Sequence, residues 1–214
     1  MIGAFFDVDN TILRGDSIER RFIKHLWRKK EIGISDLMRT IVFFVTERKR
    51  PSPFLLRSNK AYLSGRSVDE MRAIAETIFT RDVLPNLSSR AQETIKIHQV
   101  RGDKIILLTG GLDFLVQPLA EYLKVDACMS SRPELIDGHF TGRLIHPYPY
   151  RLGKRVLLEG FAVERNIDLK LSYAYGDSIA DIDMFRCVGN PRVINPGPRM
   201  TYIARKMGWK IAIW

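Results

Sequence analysis

Ile2-Gly3-Ala4-Phe5-Phe6-Asp7-Val8-Asp9-Asn10-Thr11 is a short apolar run that ends at once in acids. It reads as a buried parallel strand whose carboxyl edge carries Asp7 and Asp9. Chemistry in open α/β sheets collects at such edges. Two carboxylates two residues apart on a strand point the same way, but a chain turning out of the strand splays them around one ion or phosphate. The plain alternative is a surface turn with two solvated acids, and this stretch alone does not choose between them.

The same texture returns along the chain. Short apolar runs at 104–109, 125–129, 171–175, 192–195 and 209–213 read as strands, and helical spacing occupies about 85–100, 112–124, 153–166 and 178–185. Asp137-Gly138 carries the signal of a tight hairpin. Strands alternating with helices predict an α/β fold, a three-layer Rossmann-like parallel sheet covered on both faces. From Arg14 to about Val83 the pattern is helical instead, with Ile18, Phe22 and Leu26, then Met71, Ile74, Ala75 and Ile78, and with Pro51 and Pro53 breaking it. The expected organisation is a core of residues 1–13 and 84–214, with residues 14–83 inserted as a helical cap.

Composition excludes several classes. The 214 residues allow one domain plus an insertion. With 45% hydrophobic and 27% charged residues, the chain is neither disordered nor collagen-like. Cys128 and Cys187 are too few for a disulfide scaffold or a four-ligand zinc site. Asp7 and Asp9 interrupt any signal-like start, and the apolar run 41–45 is far shorter than a membrane span, so a cytoplasmic location is expected. The formal charge of +10 points to anionic partners and says nothing of fold.

Three further clusters follow predicted strands or open helices. Thr109-Gly110-Gly111 offers a hydroxyl and backbone N–H groups leading into a helix, which is anion-site chemistry, although a glycine turn alone would look the same. Lys154 stands at the start of a predicted helix, where a cation is unfavourable unless it reaches water or an anion; taken alone, the solvated reading is preferred. In Gly176-Asp177-Ser178-Ile179-Ala180-Asp181, two acids one turn apart face one cleft, whereas Asp183 is rotated away. Carboxylate oxygens completed by water and phosphate are what Mg²⁺ selects.

In this order the four clusters resemble the signature of the haloacid dehalogenase superfamily: DxDx[TS], a strand-ending Ser or Thr, a Lys, then GDxxxD. The insertion after the first motif stands where that superfamily places a type 1 helical cap. Thr109-Gly110-Gly111 with Leu112-Asp113-Phe114, and the Asp137-Gly138 hairpin, look like the phosphoserine phosphatase-like branch, subfamily IB. The resemblance implies a phosphatase. Asp7 would be the nucleophile that forms an aspartyl-phosphate, and Asp9 the general acid and base. Mg²⁺ would be held by Asp7, the Asp9 carbonyl and Asp177. Thr109, the Gly110 N–H and Lys154 would hold the phosphate of a small phosphorylated metabolite, with Asp181 and Thr11 in support. Asp16 stands where the true phosphoserine phosphatases carry a substrate-binding glutamate, and being shorter it argues against strict phosphoserine specificity.

His25, His98, His139 and His146 share no ligand spacing and read as surface or loop residues, and Cys128 reads as a core thiol. From Arg14 to Asp82 sixteen basic residues face nine acidic ones, which places +7 of the charge in the cap. A basic lid over an acidic floor would attract a phosphorylated substrate. Phosphotransfer to an alcohol, and a lysophospholipid substrate met at a membrane through Trp27, Arg28, Lys29, Lys30, Arg48, Lys49 and Arg50, are the alternatives. Nucleic acid is disfavoured by the intact acids, and the oligomeric state is left open.

Overall fold

The structure is a computed structural model that describes residues 1–33, 38 and 59–214. The proline break at Pro51 and Pro53, the apolar run 41–45 and the basic residues Arg48, Lys49 and Arg50 lie outside the described residues. Strand β1 (Gly3–Phe6) is wholly buried. Ala4 and Phe6 enter one apolar cluster and Phe5 the other, so both faces of the strand are covered. At about 1.5–3 kcal/mol for each buried large side chain, this strand alone is a strong organiser of the core.

Strands β2 (Lys104–Leu112), β3 (Ala127–Ile136), β4 (His139–Ile145), β5 (Tyr173–Gly176), β6 (Asn190–Ile194) and β7 (Lys210–Ala212) complete a sheet ordered β4-β3-β2-β1-β5-β6-β7. All neighbouring pairs are parallel except β3 with β4. Helices α1 (Ile18–Arg28), α2 (Val68–Ile78), α3 (Ser89–Arg101) and α4 (Asp113–Leu123) share the apolar cluster of Ala4 and Phe6, with α2 packed on α1 and α4. Helices α5 (Leu152–Glu164), α6 (Ile182–Phe185) and α7 (Pro198–Lys206) share the other. The expected α/β fold with a parallel sheet and helices on both faces is what the chain adopts. β1 takes the centre, which sets Asp7 in the middle of the carboxyl edge.

Local expectations are corrected in several places. Strand β2 does not stop at Thr109; it runs through the glycines to Leu112, with its register to β3 shifting between Leu108 and Leu112. Glycines let a ladder slip in this way, so Thr109-Gly110-Gly111 is an irregular strand end and not a free turn. Strand β3 is longer than expected because it continues into the hairpin, where Asp137 (φ 48°) and Gly138 (φ 74°) make the left-handed pair a two-residue turn needs. Residues 178–185 are not one helix. The Asp181 carboxylate reaches back to the Ser178 N–H and tightens 179–181 into a 3-10 turn before α6. Helix α7 is absent from the sequence reading; it buries only Met200 and Ala204, too short a stripe to declare a period.

Two histidines read as surface residues are buried. His25 is interior to α1, and His98 Nδ1 donates to the Asp103 carboxylate (2.7 Å) while Nε2 meets the Tyr175 hydroxyl (2.8 Å). Their positions follow from helical phase, each being one of the buried residues of its helix.

The chain leaves the β1 edge and returns to it by two adjacent segments. Leu13 bridges Leu87, and the Arg14 N–H donates to Asn86 O at 3.1 Å. The returning part of the insertion runs along the hairpin, with the Lys60 N–H on Gly142 O and the Gly65 N–H on Phe140 O. Gly142 has φ 85° and a Cβ there would lie 3.1 Å from Ala61 Cα, so this crossing requires glycine. Among the described residues no helix is long and apolar enough to cross a membrane.

Candidate active site

Asp7 follows β1 directly, and its N–H donates to Tyr175 O at 2.8 Å, which holds it to the β5 side. The chain then turns sharply: Asn10 takes φ 58°, a left-handed conformation that asparagine tolerates better than most residues, and the Ile12 and Leu13 N–H groups fold back on Val8 O. The turn separates the two acids. Asp7 is buried at the sheet edge, while Asp9 Oδ1 accepts the Ile18 N–H at 3.0 Å from the first turn of α1. The Thr11 hydroxyl is buried with no hydrogen-bond partner among the described residues, so Thr11 serves the loop through its N–H to Val8 O.

Lys154, the third residue of α5, is not solvated. Its side chain is 3% exposed, and Nζ donates to Asp7 Oδ1 at 2.7 Å and to Asp181 Oδ1 at 2.5 Å. Burial works against its charge, and Asp181 and Asp7 outweigh that and hold the lysine above its usual range. Two glycines make the approach feasible. A Cβ on Gly153 would sit 1.8 Å from Tyr148 O, and one on Gly176 would sit 2.7 Å from Asp181 Cγ.

Asp7, Asp177 and Asp181 each offer a carboxylate oxygen, all within 4.8 Å of one another. Asp181 has both oxygens engaged, one on Lys154 and the other on the Ser178 N–H and hydroxyl. Fully ionised, three carboxylates would face one ammonium, an excess of two negative charges at a buried site. Burial adds to the cost of that charge. Burial pushes Asp7 up to about 8 against the pull of Lys154, and burial with Asp181 pushes Asp177 up to about 6. A divalent cation with hard-oxygen preference would balance this donor set in charge and chemistry. Asp9 is likewise raised, by burial opposed by its Ile18 hydrogen bond.

The cluster floors a cavity of about 350 Å³. Thr109 and Gly110 line one wall, with the Thr109 hydroxyl accepting the Gly111 N–H at 3.2 Å and Gly110 O accepting from Ser131. Asp7, Asp9, Thr109, Gly110, Lys154, Asp177 and Asp181 thus all meet at one cavity. Asp16 does not line it; its carboxylate accepts from Lys24 and pairs with Arg20 at 3.3 Å. The inserted segment instead contributes Ser17, Glu19 and Lys60. Lys60 Nζ reaches Glu19 Oε1 at 2.5 Å, and the hydroxyl of half-buried Tyr62 donates to the same oxygen at 2.6 Å. The sequence reading missed this group. Lys60 and Tyr62 lie 41 and 43 residues from Glu19, and the one local signal was Ser17, an N-cap whose hydroxyl accepts the Arg20 N–H.

Residues 4–186 match the family described as haloacid dehalogenase-like hydrolase. The phosphoserine phosphatase SerB1 of Mycobacterium tuberculosis is 29% identical over 213 residues, covering 97% of this chain and 69% of that protein. A crystal structure of a protein of unknown function from Bordetella pertussis Tohama I superposes with a TM-score of 0.83 at 25% identity, covering 98% of this chain and 96% of the other. A substrate-bound phosphoserine phosphatase complex shares the fold at TM-score 0.68 and 23% identity, with 98% and 91% of the two chains covered.

Proposed function

Since this chain belongs to the haloacid dehalogenase-like hydrolases and is a phosphatase of the phosphoserine phosphatase-like kind, we propose that it hydrolyses a small phosphomonoester through an aspartyl-phosphate on Asp7. The observation that carries this reading is the buried contact of Lys154 with Asp7 and Asp181 beside Asp177, in a cavity that Thr109 and Gly110 also line.

Asp7 attacks phosphorus, the P–O bond to the substrate alcohol breaks, and Asp9 gives its proton to the departing oxygen. The raised Asp9 suits this, because a carboxyl must carry a proton to donate one. Asp9 then takes a proton from water as that water attacks the phosphoryl group, releasing phosphate and free Asp7. Lys154, the Thr109 hydroxyl and the Gly110 N–H hold the phosphoryl oxygens as charge develops. Asp7, Asp177 and the Asp9 carbonyl would hold Mg²⁺, with Asp181 fixing Lys154. When bound, Mg²⁺ supplies Lewis-acid stabilisation of the phosphoryl oxygens. Residues 14–83 serve as the cap that excludes water during transfer.

Glu19 and Lys60 face the cavity from this cap, so phosphoserine-like esters, carrying an amine and a carboxylate, are the first substrates to test. The experiment is hydrolysis of an aryl phosphate and a panel of small phosphomonoesters by the wild type and by Asp7→Asn, with and without EDTA. Turnover abolished by the substitution and by chelation is expected, and turnover surviving both would overturn the reading. Phosphotransfer to an added alcohol uses the same residues and is read from the products of the same assay.

A further inference from the structure

We propose that the outer face of helix α1 is a docking surface for an anionic lipid bilayer. Helix α1 buries Ile18, Phe22, His25 and Leu26 against the protein. Its opposite face, built at the same helical spacing, presents Arg20, Ile23, Lys24 and Trp27. Trp27 is 70% exposed and Ile23 37%, one turn apart, so an indole and a branched aliphatic stand together in solvent. Scattered exposed apolar residues are ordinary, but here the pair stands among mostly cationic neighbours.

Arg20, Lys24, Arg28, Lys29 and Lys30 are all exposed around it. Among the described residues, Asp16 pairs with Lys24 and Arg20, Glu31 lies 4.0 Å from Arg66, and Asp82, near Arg28, pairs with Arg81. The face therefore keeps a cationic excess. A tryptophan beside an aliphatic residue suits the depth of lipid headgroups, and a basic cluster suits an acidic leaflet. A second copy of this chain would bring the same five cations against themselves, and a nucleic acid has no apolar layer to receive Ile23 and Trp27. None of these residues lines the catalytic cavity, so this surface stands or falls apart from the proposed reaction.

The test is co-sedimentation of the whole chain with phosphatidylcholine vesicles, with and without phosphatidylglycerol, at low and high salt. We expect binding only to the anionic vesicles, weakened by salt. Each charge removed in Arg20→Gln or Lys24→Gln lowers partitioning by about fivefold, and Trp27→Ala by about tenfold. Trp27 also reports directly: tryptophan emission shifts to the blue on adding anionic vesicles, and Trp27→Phe loses that shift. Turnover of a water-soluble aryl phosphate is unchanged in Trp27→Ala, which separates a lost surface from a lost fold. Binding that is absent, equal on neutral vesicles, or indifferent to Trp27→Ala overturns the proposal, as does salt-sensitive binding to duplex DNA in preference to vesicles.

Discussion

Asp9 Oδ1 accepts the Ile18 N–H at 3.0 Å, so the carboxylate proposed to transfer protons also anchors the first helix of the inserted segment. The tie works in both directions. A displaced α1 would free Asp9 to rotate, and a well-seated α1 fixes it over the cavity. In the proposed mechanism, proton transfer and cap position are thus joined through one hydrogen bond.

Arg21 holds that helix to both connecting segments. Its guanidinium donates to Asp16 O at 2.8 Å, Asp82 O at 2.7 Å and Arg14 O at 2.7 Å. Arg21→Ala leaves three carbonyls without this donor and is expected to cost on the order of 2 kcal/mol of stability and to raise KM. Arg21→Lys restores only part, because a point ammonium cannot span three acceptors. Thermal unfolding and steady-state kinetics check this; unchanged melting and KM in Arg21→Ala would remove the clamp from the account.

Lys154→Met should be among the most damaging substitutions in the chain. It leaves Asp7 and Asp181 buried without their cation, a loss of about 3–5 kcal/mol at neutral pH. Lys154→Met combined with Asp181→Asn removes the second charge and recovers part of that loss. Denaturant unfolding of the two variants decides it, and a double variant less stable than the single one would show that charge is not the cause.

Metal dependence should carry a pH signature. Asp177 is raised to about 6 and Asp7 to about 8, so in the folded protein without metal each keeps its proton where the unfolded chain has lost it. That costs folding stability increasingly as pH rises from about 4 through those values, by at most about 1.4 kcal/mol per unit for each group. A divalent cation replaces the protons. The gain in melting temperature from Mg²⁺ over EDTA is therefore expected to grow between pH 6 and 8, and a gain that is flat or shrinks over that range would count against these ligands.

The strand-end acids were legible because an apolar run followed at once by aspartates marks a sheet edge, and the central place of β1 made Asp7 part of the site. Lys154 was legible only through its order in the motif set. Its local sequence says solvated, and what buries it are Asp7 and Asp181, 147 and 27 residues away. His98 was misread for the same reason, since Asp103 is near but the Tyr175 hydroxyl that closes its other side comes from β5. Sequence spacing reports which residues share an element and carries little about which elements will face each other.

His98 gives a stability prediction of its own sign. Burial lowers its pKa below the ordinary 6.5, opposed by its hydrogen bond to the Asp103 carboxylate. The unfolded chain then binds the proton more readily, so stability is full above about pH 6.5 and is lost as pH falls below it. His98→Phe should flatten this acid dependence while costing about 1–3 kcal/mol at neutral pH, because the Tyr175 hydroxyl loses its partner and Asp103 keeps, among the described residues, only Arg101 at 3.4 Å. Melting curves from pH 4.5 to 7.5, in about half-unit steps, make the comparison, and an unchanged acid slope in the variant would mean that other groups control it.

Glu19 and Asp16 separate two accounts of substrate choice. Asp16 lies in the early cap at the spacing expected of a specificity acid, but its carboxylate is tied to Lys24 outside the cavity, and Lys24 holds it below the usual carboxylate range. Glu19 lines the cavity and is held by Lys60 and Tyr62. Glu19→Gln weakens both contacts and presents an amide to the substrate, so kcat/KM for the preferred phosphomonoester should fall by about tenfold or more. An aryl phosphate, whose leaving group makes no use of Glu19, should lose little. Asp16→Asn should leave both substrates within about twofold, since it removes an exposed pair of small worth. The reverse pattern, with Asp16→Asn selective and Glu19→Gln silent, would return specificity to Asp16 and imply that the cap rearranges when substrate enters.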